Sequence, residues 1–310
     1  MAAGKNATVF GGSGFVGRYA VRRLVAAGWQ VRVAVRSPGK AETSDQVTAV
    51  ACDVRDDRSV AAAIEGADAV VNLVAILAEA GPQTFEALHV AAPERIAKAA
   101  SAADVSRLVH VSSIGADPAG GSEYARTKGR GETLLTAAFP RAVILRPSLI
   151  FGPEDQLFNR FASMAKHGPA VPIFGGTTKF QPIYVDDVAQ AIAHSLSERT
   201  DPGVYELGGP EIETFAQLMN RMLYHIKRRR IVLDMPFFLG ATMGGAFDLA
   251  QKMSGGFFQN GLVTADQVAS LKSDNVVASG ARTLADLGVD ATPMDDVLPG
   301  YLARYRPGAA

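Results

Sequence analysis

Residues 8 to 17 read Thr8-Val-Phe-Gly-Gly-Ser-Gly-Phe-Val-Gly17, and this stretch decides the fold. It begins with β-branched and aromatic residues, as a buried strand does. Gly11, Gly14 and Gly17 then recur at every third position and lead into a segment with helical character. Glycines let the backbone turn sharply and let a pyrophosphate approach the N–H groups of a helix N-terminus. The stretch therefore predicts a strand, a tight turn and a helix that together bind a dinucleotide.

The bulk composition is that of a globular protein. The chain has 310 residues, of which 48% are hydrophobic and 20% charged, and its net charge is zero. The balanced charge favours no nucleic-acid partner, and five scattered histidines with one cysteine, Cys52, predict no metal site and a reducing compartment. The sequence before the first strand is too short for a signal peptide, and no apolar run would span a membrane. We expect a cytoplasmic protein that is at most peripheral on a membrane.

Strands alternate with helices over the first half of the chain. Besides the opening strand, the expected strands are Gln30–Arg36, Val47–Ala51, Ala69–Val74, Arg107–Ser112 and Ala142–Leu145. The helices expected between and after them are Phe15–Ala27, Ser59–Glu65, Thr84–Ala103 and Tyr124–Ala138. This rhythm predicts an α/β fold with a doubly wound parallel sheet. It breaks after Pro147, so we expect a nucleotide-binding domain over 1–208, with some cap segments after 147, and a smaller, mostly helical C-terminal cap over 209–310.

The residues at the strand ends indicate which dinucleotide binds. An NAD site usually places a carboxylate about twenty residues past the glycines, to accept from the ribose 2′-hydroxyl. Here that position holds Arg36, which can pair with a 2′-phosphate and favours NADP(H); the alternative is a solvated arginine at a strand end. Asp53 can accept from the adenine amino group. The predicted cofactor-binding residues are Gly11, Gly12, Ser13, Gly14, Phe15, Val16, Gly17, Arg36, Asp53, Val54, Val74, Ala75, Tyr124, Lys128 and Pro147.

Ser113, Tyr124 and Lys128 form a second informative group. The spacing Tyr124-x-x-x-Lys128 places a phenol and an ammonium one helical turn apart, and Ser113 follows a predicted strand. An ammonium near a phenol favours the phenolate, which predicts a lowered pKa for Tyr124. Such a phenol can exchange a proton while hydride passes to or from a nicotinamide. The alternative is a chance occurrence of Tyr-x-x-x-Lys on a helix.

These motifs resemble the extended and atypical short-chain dehydrogenase/reductase superfamily over roughly residues 7 to 208. The matching motifs are Gly11-Gly-Ser-Gly-Phe-Val-Gly17, Asp53, Val111-Ser-Ser113, Tyr124-x-x-x-Lys128, Leu145-Arg-Pro-Ser-Leu-Ile-Phe-Gly-Pro153 and Gln181-Pro-Ile-Tyr-Val-Asp-Asp187. The resemblance implies that Tyr124 is the catalytic acid/base, Lys128 its partner and a ribose ligand, and Ser113 the substrate-positioning hydroxyl. It also implies that the segment from Pro147 passes beside the nicotinamide.

A narrower likeness lies in Phe139-Pro-Arg-Ala-Val-Ile-Leu-Arg-Pro-Ser-Leu-Ile-Phe-Gly-Pro-Glu-Asp155 and in Asn159-Arg-Phe-Ala-Ser-Met164. These stretches are similar to the dehydrogenase-like accessory subunit of respiratory complex I and its bacterial relatives. That family is understood to hold NADPH tightly without established turnover. The likeness also implies that complex I subunits are the partners of this chain. One departure concerns the predicted helix over Thr84–Ala103: many extended members carry a proton-relaying asparagine there, whereas this chain reads Ala87-Leu-His-Val-Ala-Ala-Pro93, and if His89 takes the asparagine's place the relay is altered. The alternative role of His89 is that of a buried helix histidine whose nitrogens are satisfied.

Two function classes follow from these likenesses. The first is a complex I-associated protein in which NADP(H) is a structural or sensing cofactor. The second is a free NADP-dependent oxidoreductase or epimerase that acts on a carbonyl, sugar-like or quinone-related substrate. For the second class, Ser113, Tyr124 and Lys128 are all present.

The C-terminal third contains a basic cluster followed by a charge-free run. Lys227-Arg-Arg-Arg230, with Arg221 and His225 just upstream, precedes a stripe at spacing four from Met235 to Phe247. A helix with this stripe and neighbouring cations can lie in a membrane interface. We therefore expect membrane-surface contact through residues 221–250; the alternative is a helix packed on the main domain.

Overall fold

The glycine-rich turn joins a central strand to the first helix. The computed structural model describes residues 5–237 and 264–308. In it, strand β1 (Asn6–Phe10) leads through the turn into helix α1 (Phe15–Ala26). Strand β1 has a parallel neighbour on each side, so the turn leaves the sheet from an interior strand.

The strands alternate with helices along most of the described chain. The strands are β1 (Asn6–Phe10), β2 (Gln30–Val35), β3 (Val47–Ala51), β4 (Ala69–Asn72), β5 (Arg107–Val111), β6 (Val143–Pro147), β7 (Ile150–Phe151), β8 (Ala170–Phe174), β9 (Lys179–Phe180), β10 (Ile183–Tyr184), β11 (Gly203–Leu207), β12 (Glu213–Thr214) and β13 (Ile231–Met235). The helices are α1 (Phe15–Ala26), α2 (Asp57–Ile64), α3 (Ala92–Ala102), α4 (Glu123–Ala138), α5 (Leu157–His167), α6 (Val185–Ser195), α7 (Phe215–His225), α8 (Ala265–Ser270) and α9 (Met294–Leu302).

Seven strands form one sheet in the order β11-β6-β5-β4-β1-β2-β3, and every neighbouring pair is parallel. Helix α1 packs against α6, while α3 packs against α2 and α4. The two groups of helices cover the two faces of the sheet, as right-handed crossovers between parallel strands require. The predicted doubly wound α/β fold is confirmed.

The described residues divide into two units. The first unit comprises 5–147, 185–207 and 278–290, and the second comprises 148–184, 208–237, 264–277 and 291–308. Segment 278–290, which the sequence places in the cap, belongs to the first unit, and 148–184, the stretch for which cap segments are expected, belongs to the second. Hydrogen bonds explain the placement of 278–290: the backbone N–H of Glu206 donates to the carbonyl oxygen of Arg282 at 2.8 Å.

Each unit has its own hydrophobic core. In the first, large buried side chains such as Phe10, Ile64 and Leu135 pack between the sheet and its helices. In the second, residues such as Phe158 and Met222 pack between short helices and two-stranded sheets. The second unit is therefore a structure with its own buried apolar contacts rather than an extension of the sheet.

Two predicted helices differ from the structure. The long helix expected over Thr84–Ala103 is a π-helical segment, Glu86–Ala91, that continues into α3. The stripe expected to begin at Met235 is wrong at its first member, because Met235 ends β13 and pairs with Phe174 of β8. Its other members, from Leu239 onward, lie outside the described residues.

Within the described ranges, no helix combines the length and the apolar character that crossing a bilayer requires.

The backbone of helix α1 approaches the backbone of the glycine turn closely at Gly17. A Cβ atom added there would lie 2.3 Å from the carbonyl oxygen of Gly11 and 2.6 Å from the carbonyl carbon of Gly12. Gly11 itself has a φ of +79°, a conformation that residues with a side chain rarely adopt. The helix can therefore pack this close to the turn only because glycine occupies both positions.

We expect Gly17→Ala to destabilise the protein although alanine favours helices by about 1 kcal/mol over glycine. The clash involves backbone atoms that cannot move aside, and overpacking of this kind typically costs about 1–3 kcal/mol. The matched control is Gly300→Ala in α9, where an added Cβ meets no atom within 4 Å and should stabilise. Urea unfolding of both variants measures whether each change lowers or raises the free energy of unfolding. A Gly17→Ala variant as stable as the wild type would contradict the packing argument.

Candidate functional site

The carboxyl ends of the parallel strands gather the predicted residues at one edge of the sheet. Because all seven strands of the sheet run in the same direction, the segments that follow β1, β2, β3, β5 and β6 leave at this edge. Gly11, Arg36, Asp53, Ser113 and Pro147 lie in or at these segments. The structure therefore brings both predicted groups, the cofactor residues and the catalytic candidates, to the same edge.

The glycine turn presents a helix N-terminus with no side chain in front of it. Gly14 is the N-cap of α1 and is exposed, and its N–H donates to the carbonyl oxygen of Gly11 at 3.0 Å. The first-turn N–H groups of a helix lack intrahelical partners and carry partial positive charge. The turn is therefore a cradle that fits a pyrophosphate. Phe15 and Val16, which the sequence includes in this site, are half-buried in the first turn of α1.

Arg18 is a residue of this turn that the sequence prediction left out. Its Nη1 donates to the carbonyl oxygen of Ser13 at 3.0 Å, so the guanidinium is held against the turn. A cation fixed beside a phosphate cradle adds to its positive character. Its position directly after Gly17 is the signal from which the sequence indicates it.

The adenosine end of the predicted site holds two arginines around one carboxylate. Arg36 is exposed just past β2. Asp53 accepts from Nε of Arg55 at 2.9 Å and from its Nη2 at 2.6 Å. These contacts, with a smaller contribution from Arg36, lower the pKa of Asp53 to about 2. The sequence prediction missed Arg55, which donates to the Asp53 carboxylate that was expected to accept from adenine.

The remaining predicted cofactor residues differ in exposure. Val54 belongs to the hydrophobic core of the first unit, and Val74 is half-buried against that core. Ala75 is exposed, whereas Pro147 is buried. Gly12 is buried, and a Cβ there would lie 2.9 Å from Cγ1 of Val33, so its role is close packing of the turn on β2.

Lys128 is fully buried beside the end of β5. Its side chain is 1% exposed, and Nζ donates to the carbonyl oxygen of Val111 at 3.1 Å. Burial lowers the pKa of this ammonium from 10.5 to about 8, and the charge of Glu132 opposes the shift. Glu132 itself pairs with Arg146 at 2.6 Å. A lysine kept here at such a cost indicates a role in binding or chemistry.

Tyr124 occupies the first turn of α4, one helical turn before Lys128. Burial raises the pKa of its phenol above 10, and the Ser113 hydroxyl opposes this shift. The lowered pKa predicted for Tyr124 is therefore wrong for the protein alone, because the loss of hydration outweighs the Ser113 hydrogen bond. The Ser113 hydroxyl oxygen is buried beside the Tyr124 phenol, and the hydrogen bond between the two hydroxyls is the contact that opposes the shift.

His89 lies against the Tyr124 ring. The two rings meet edge to face at 5.3 Å, and Phe85 stacks on His89 at 5.1 Å. The backbone N–H of Ile76 donates to Nε2 of His89 at 3.1 Å, while Nδ1 lies 3.3 Å from the Thr127 hydroxyl. Because a backbone N–H can only donate, Nε2 is unprotonated and Nδ1 carries the hydrogen.

The environment of His89 also keeps it neutral. Burial and the charge of Lys128 lower its pKa to about 3. The π-helical segment that contains it is close-packed against α4, since a Cβ on Gly131 would lie 1.8 Å from the His89 carbonyl oxygen. Such segments often mark functional sites. Here the segment holds a neutral imidazole, with both nitrogens engaged, against the phenol. His110 of β5 is likewise a core residue, with Nδ1 3.1 Å from Nδ2 of Asn72.

Comparison with known proteins gives a consistent result. Residues 7–208 match the NAD dependent epimerase/dehydratase family. The chain is 31% identical over 313 residues to the mitochondrial NADH-ubiquinone oxidoreductase 40 kDa subunit of Neurospora crassa. The matched stretch covers 99% of this chain and 81% of that protein. It is 32% identical to the mitochondrial NADH dehydrogenase (ubiquinone) 1 alpha subcomplex subunit 9 of Mus musculus, over 97% of this chain and 80% of that protein.

Among solved structures, the fold is similar to that of an NADPH-dependent quinone oxidoreductase from Escherichia coli crystallised with NADPH. The TM-score is 0.74, with 19% sequence identity, over 96% of this chain and 99% of that one. This likeness concerns the fold. The family resemblance drawn from the motifs is confirmed by the sequence matches.

We expect Lys128→Met to stabilise the protein at neutral pH. The folded-state pKa of Lys128 lies below its ordinary value, so the unfolded chain binds more protons between pH 8 and 10.5 and stability rises with pH across that window. Removing the ammonium should raise the free energy of unfolding at pH 7 by about 1–3 kcal/mol. The gain should shrink as the pH approaches 10.5.

The measurement is urea unfolding at several pH values, with Lys272→Met at an exposed lysine as the control. The control should not change the pH dependence. A difference between wild type and Lys128→Met that is independent of pH would show that the buried ammonium carries no such cost.

Proposed function

This chain belongs to the NAD dependent epimerase/dehydratase family and to the group of complex I 40 kDa and alpha subcomplex subunit 9 proteins, and on that premise we propose that it is an NADP(H)-binding accessory subunit of respiratory complex I. Its cofactor has a structural or sensing role. The proposal places the chain as a peripheral subunit on the cytoplasmic face of the inner membrane. The observation that carries it is the similarity to complex I subunits over 97% or more of the chain.

The cofactor site supports a firmly held dinucleotide. The α1 N-terminus and exposed Gly14 would receive the pyrophosphate, and Arg36 with Arg55 gives the adenosine end positive charge. The buried ammonium of Lys128 and the buried Ser113 hydroxyl would meet the ribose and nicotinamide end. When bound, the nicotinamide supplies hydride chemistry. Each of these groups contributes to binding whether or not turnover follows.

The surroundings of Tyr124 favour binding over turnover. A reductase must resupply the proton that its tyrosine gives away. His89 adjoins the phenol ring, but both of its nitrogens are engaged and it stays neutral at physiological pH. The His89 imidazole is therefore not arranged to pass protons onward.

The second candidate is a free NADP-dependent oxidoreductase or epimerase that acts on a carbonyl, sugar-like or quinone-related substrate. The buried Ser113 hydroxyl beside the Tyr124 phenol favours it, since two adjacent hydroxyls can hold one substrate oxygen. In that case Tyr124 is the acid/base, Lys128 orients it and the cofactor ribose, and Ser113 positions the carbonyl.

For the cofactor, we expect the purified chain to bind NADPH more tightly than NADH, because Arg36 can pair with the 2′-phosphate. Arg36→Asp should weaken NADPH binding about ten-fold to a hundred-fold, which corresponds to ~1.5–3 kcal/mol. The control is Arg141→Asp, an equal charge change at an exposed residue just before the amino end of β6. Fluorescence titration measures both affinities. Equal affinity of the wild type for the two cofactors would contradict the assignment.

For the biological role, we expect the chain to copurify with complex I subunits from detergent-solubilised membranes. Tyr124→Phe should leave assembly and complex I activity nearly unchanged. Gly14→Val should impair both, because a side chain there blocks the phosphate cradle while only the Gly11 carbonyl oxygen, at 3.3 Å, lies close. Recovery in the soluble fraction without complex I subunits, with a turnover that Tyr124→Phe abolishes, would establish the free enzyme instead.

A further inference from the structure

The second unit exposes an unusual set of side chains around the turn between α7 and β13. Five large hydrophobic residues are exposed in the described part of the chain, and three of them lie here: Tyr224, Ile231 and Leu233. Exposed Lys227 and Arg229 lie between them in sequence. Lys166, exposed at the end of α5, adjoins them because Nε of Arg230 donates to the carbonyl oxygen of Ala165 at 2.9 Å. These six residues, Lys166, Tyr224, Lys227, Arg229, Ile231 and Leu233, are called the basic apolar patch.

Strand β13 explains why two of the apolar residues face solvent. Side chains alternate between the faces of a strand, and Val232 packs on the core of the second unit. Ile231 and Leu233 therefore point away from it, with exposures of 69% and 47%. Strand β13 pairs only with β8 among the described strands. No described element covers this face.

Further cations around the patch are held in place by backbone carbonyls. Nε of Arg228 donates to the carbonyl oxygen of Tyr305 at 2.8 Å, and Nε of Arg306 donates to the carbonyl oxygen of His225 at 2.9 Å. Lys227 has a φ of 53°, which makes the turn tight. The cations grouped here are Lys166, Lys227, Arg228, Arg229, Arg230 and Arg306. None of them forms an ion pair with a carboxylate in the described ranges.

Arg221 and His225, which the sequence predicts as part of the basic cluster, do not belong to it. Arg221 pairs with Glu211, Glu213 and Asp295, and His225 pairs with Asp295 at 2.9 Å. Glu211, Glu213 and Asp295, the acidic side chains in these contacts, are therefore already paired. The cations of the turn are therefore left as a local excess of positive charge in a chain of zero net charge.

We propose that the basic apolar patch docks on the surface of an anionic lipid bilayer. Aliphatic and aromatic side chains flanked by lysine and arginine fit the headgroup region, where apolar groups reach the acyl boundary and cations meet anionic headgroups. The unpaired charges supply the complementarity, and the exposed Ile231 and Leu233 supply the apolar contact. This docking is independent of the nicotinamide site and adds a membrane contact of the chain itself to the proposed association with complex I.

The test is flotation of the purified full chain with phosphatidylcholine vesicles and with vesicles that also contain phosphatidylglycerol. The wild type should float with the anionic vesicles and not with the zwitterionic ones. The charge variant Lys166→Gln/Lys227→Gln/Arg229→Gln removes three exposed cations. It should bind roughly a hundred-fold more weakly, since each cation contributes about five-fold.

Two further variants separate the patch from general charge effects. The control Arg58→Gln/Arg141→Gln/Lys272→Gln removes three exposed cations elsewhere and should bind as the wild type does. The variant Ile231→Thr/Leu233→Thr keeps the charges and the strand propensity, and its residual binding should be lost in high salt. Circular dichroism verifies that each variant folds.

Failure of the wild type to float with anionic vesicles overturns the proposal, as does an equal loss in the control. Because the vesicles contain no protein, the result is separate from copurification with complex I. A chain that binds vesicles but no complex I subunit would retain this inference and overturn the proposed function, and the opposite result would do the reverse.

Discussion

The architecture depends on the contact between the first helix and the glycine turn. Because Gly17 has no side chain, the backbone of α1 lies against the carbonyl oxygen of Gly11. A Cβ atom at residue 17 would be only 2.3 Å from that oxygen. This contact aims the N-terminus of α1 at the carboxyl edge of the sheet. Since parallel strands all end at that edge, Arg36, Asp53 and Ser113 arrive there without any further device.

The site gathered at this edge is positively charged by construction. A helix N-terminus, Arg18, Arg36 and the buried ammonium of Lys128 all lie in or beside it. Such an arrangement lowers the stability of the empty protein, because the Val111 carbonyl and the charge of Glu132 offset only part of the hydration that Lys128 loses. A bound anionic dinucleotide offsets that cost, which links stability of the first unit to occupancy. This linkage suits a subunit that keeps its cofactor.

The second unit uses its charges differently. Its acidic side chains near α7 are paired with Arg221 and His225, and the cations of the following turn are left without carboxylate partners in the described residues. Apolar side chains on the outer face of β13 stand among them. One chain thus combines a site for a soluble anion in the first unit with a surface suited to anionic lipid in the second.

The sequence by itself determined the parallel sheet and the glycine turn, and it supplied the candidate site residues. Glycine spacing, β-branched strands and strand-end polar residues are local signals, and the sheet edge follows from strand direction alone. Only the tertiary structure decided what surrounds each residue. Burial raises the pKa of Tyr124, and Ile76 with Thr127 fixes the proton on His89. In the second unit, pairing with β8 turned Met235 into a strand residue and exposed Ile231 and Leu233. Hydration, pairing and tautomer depend on neighbours that are remote in the chain, so no local pattern encodes them.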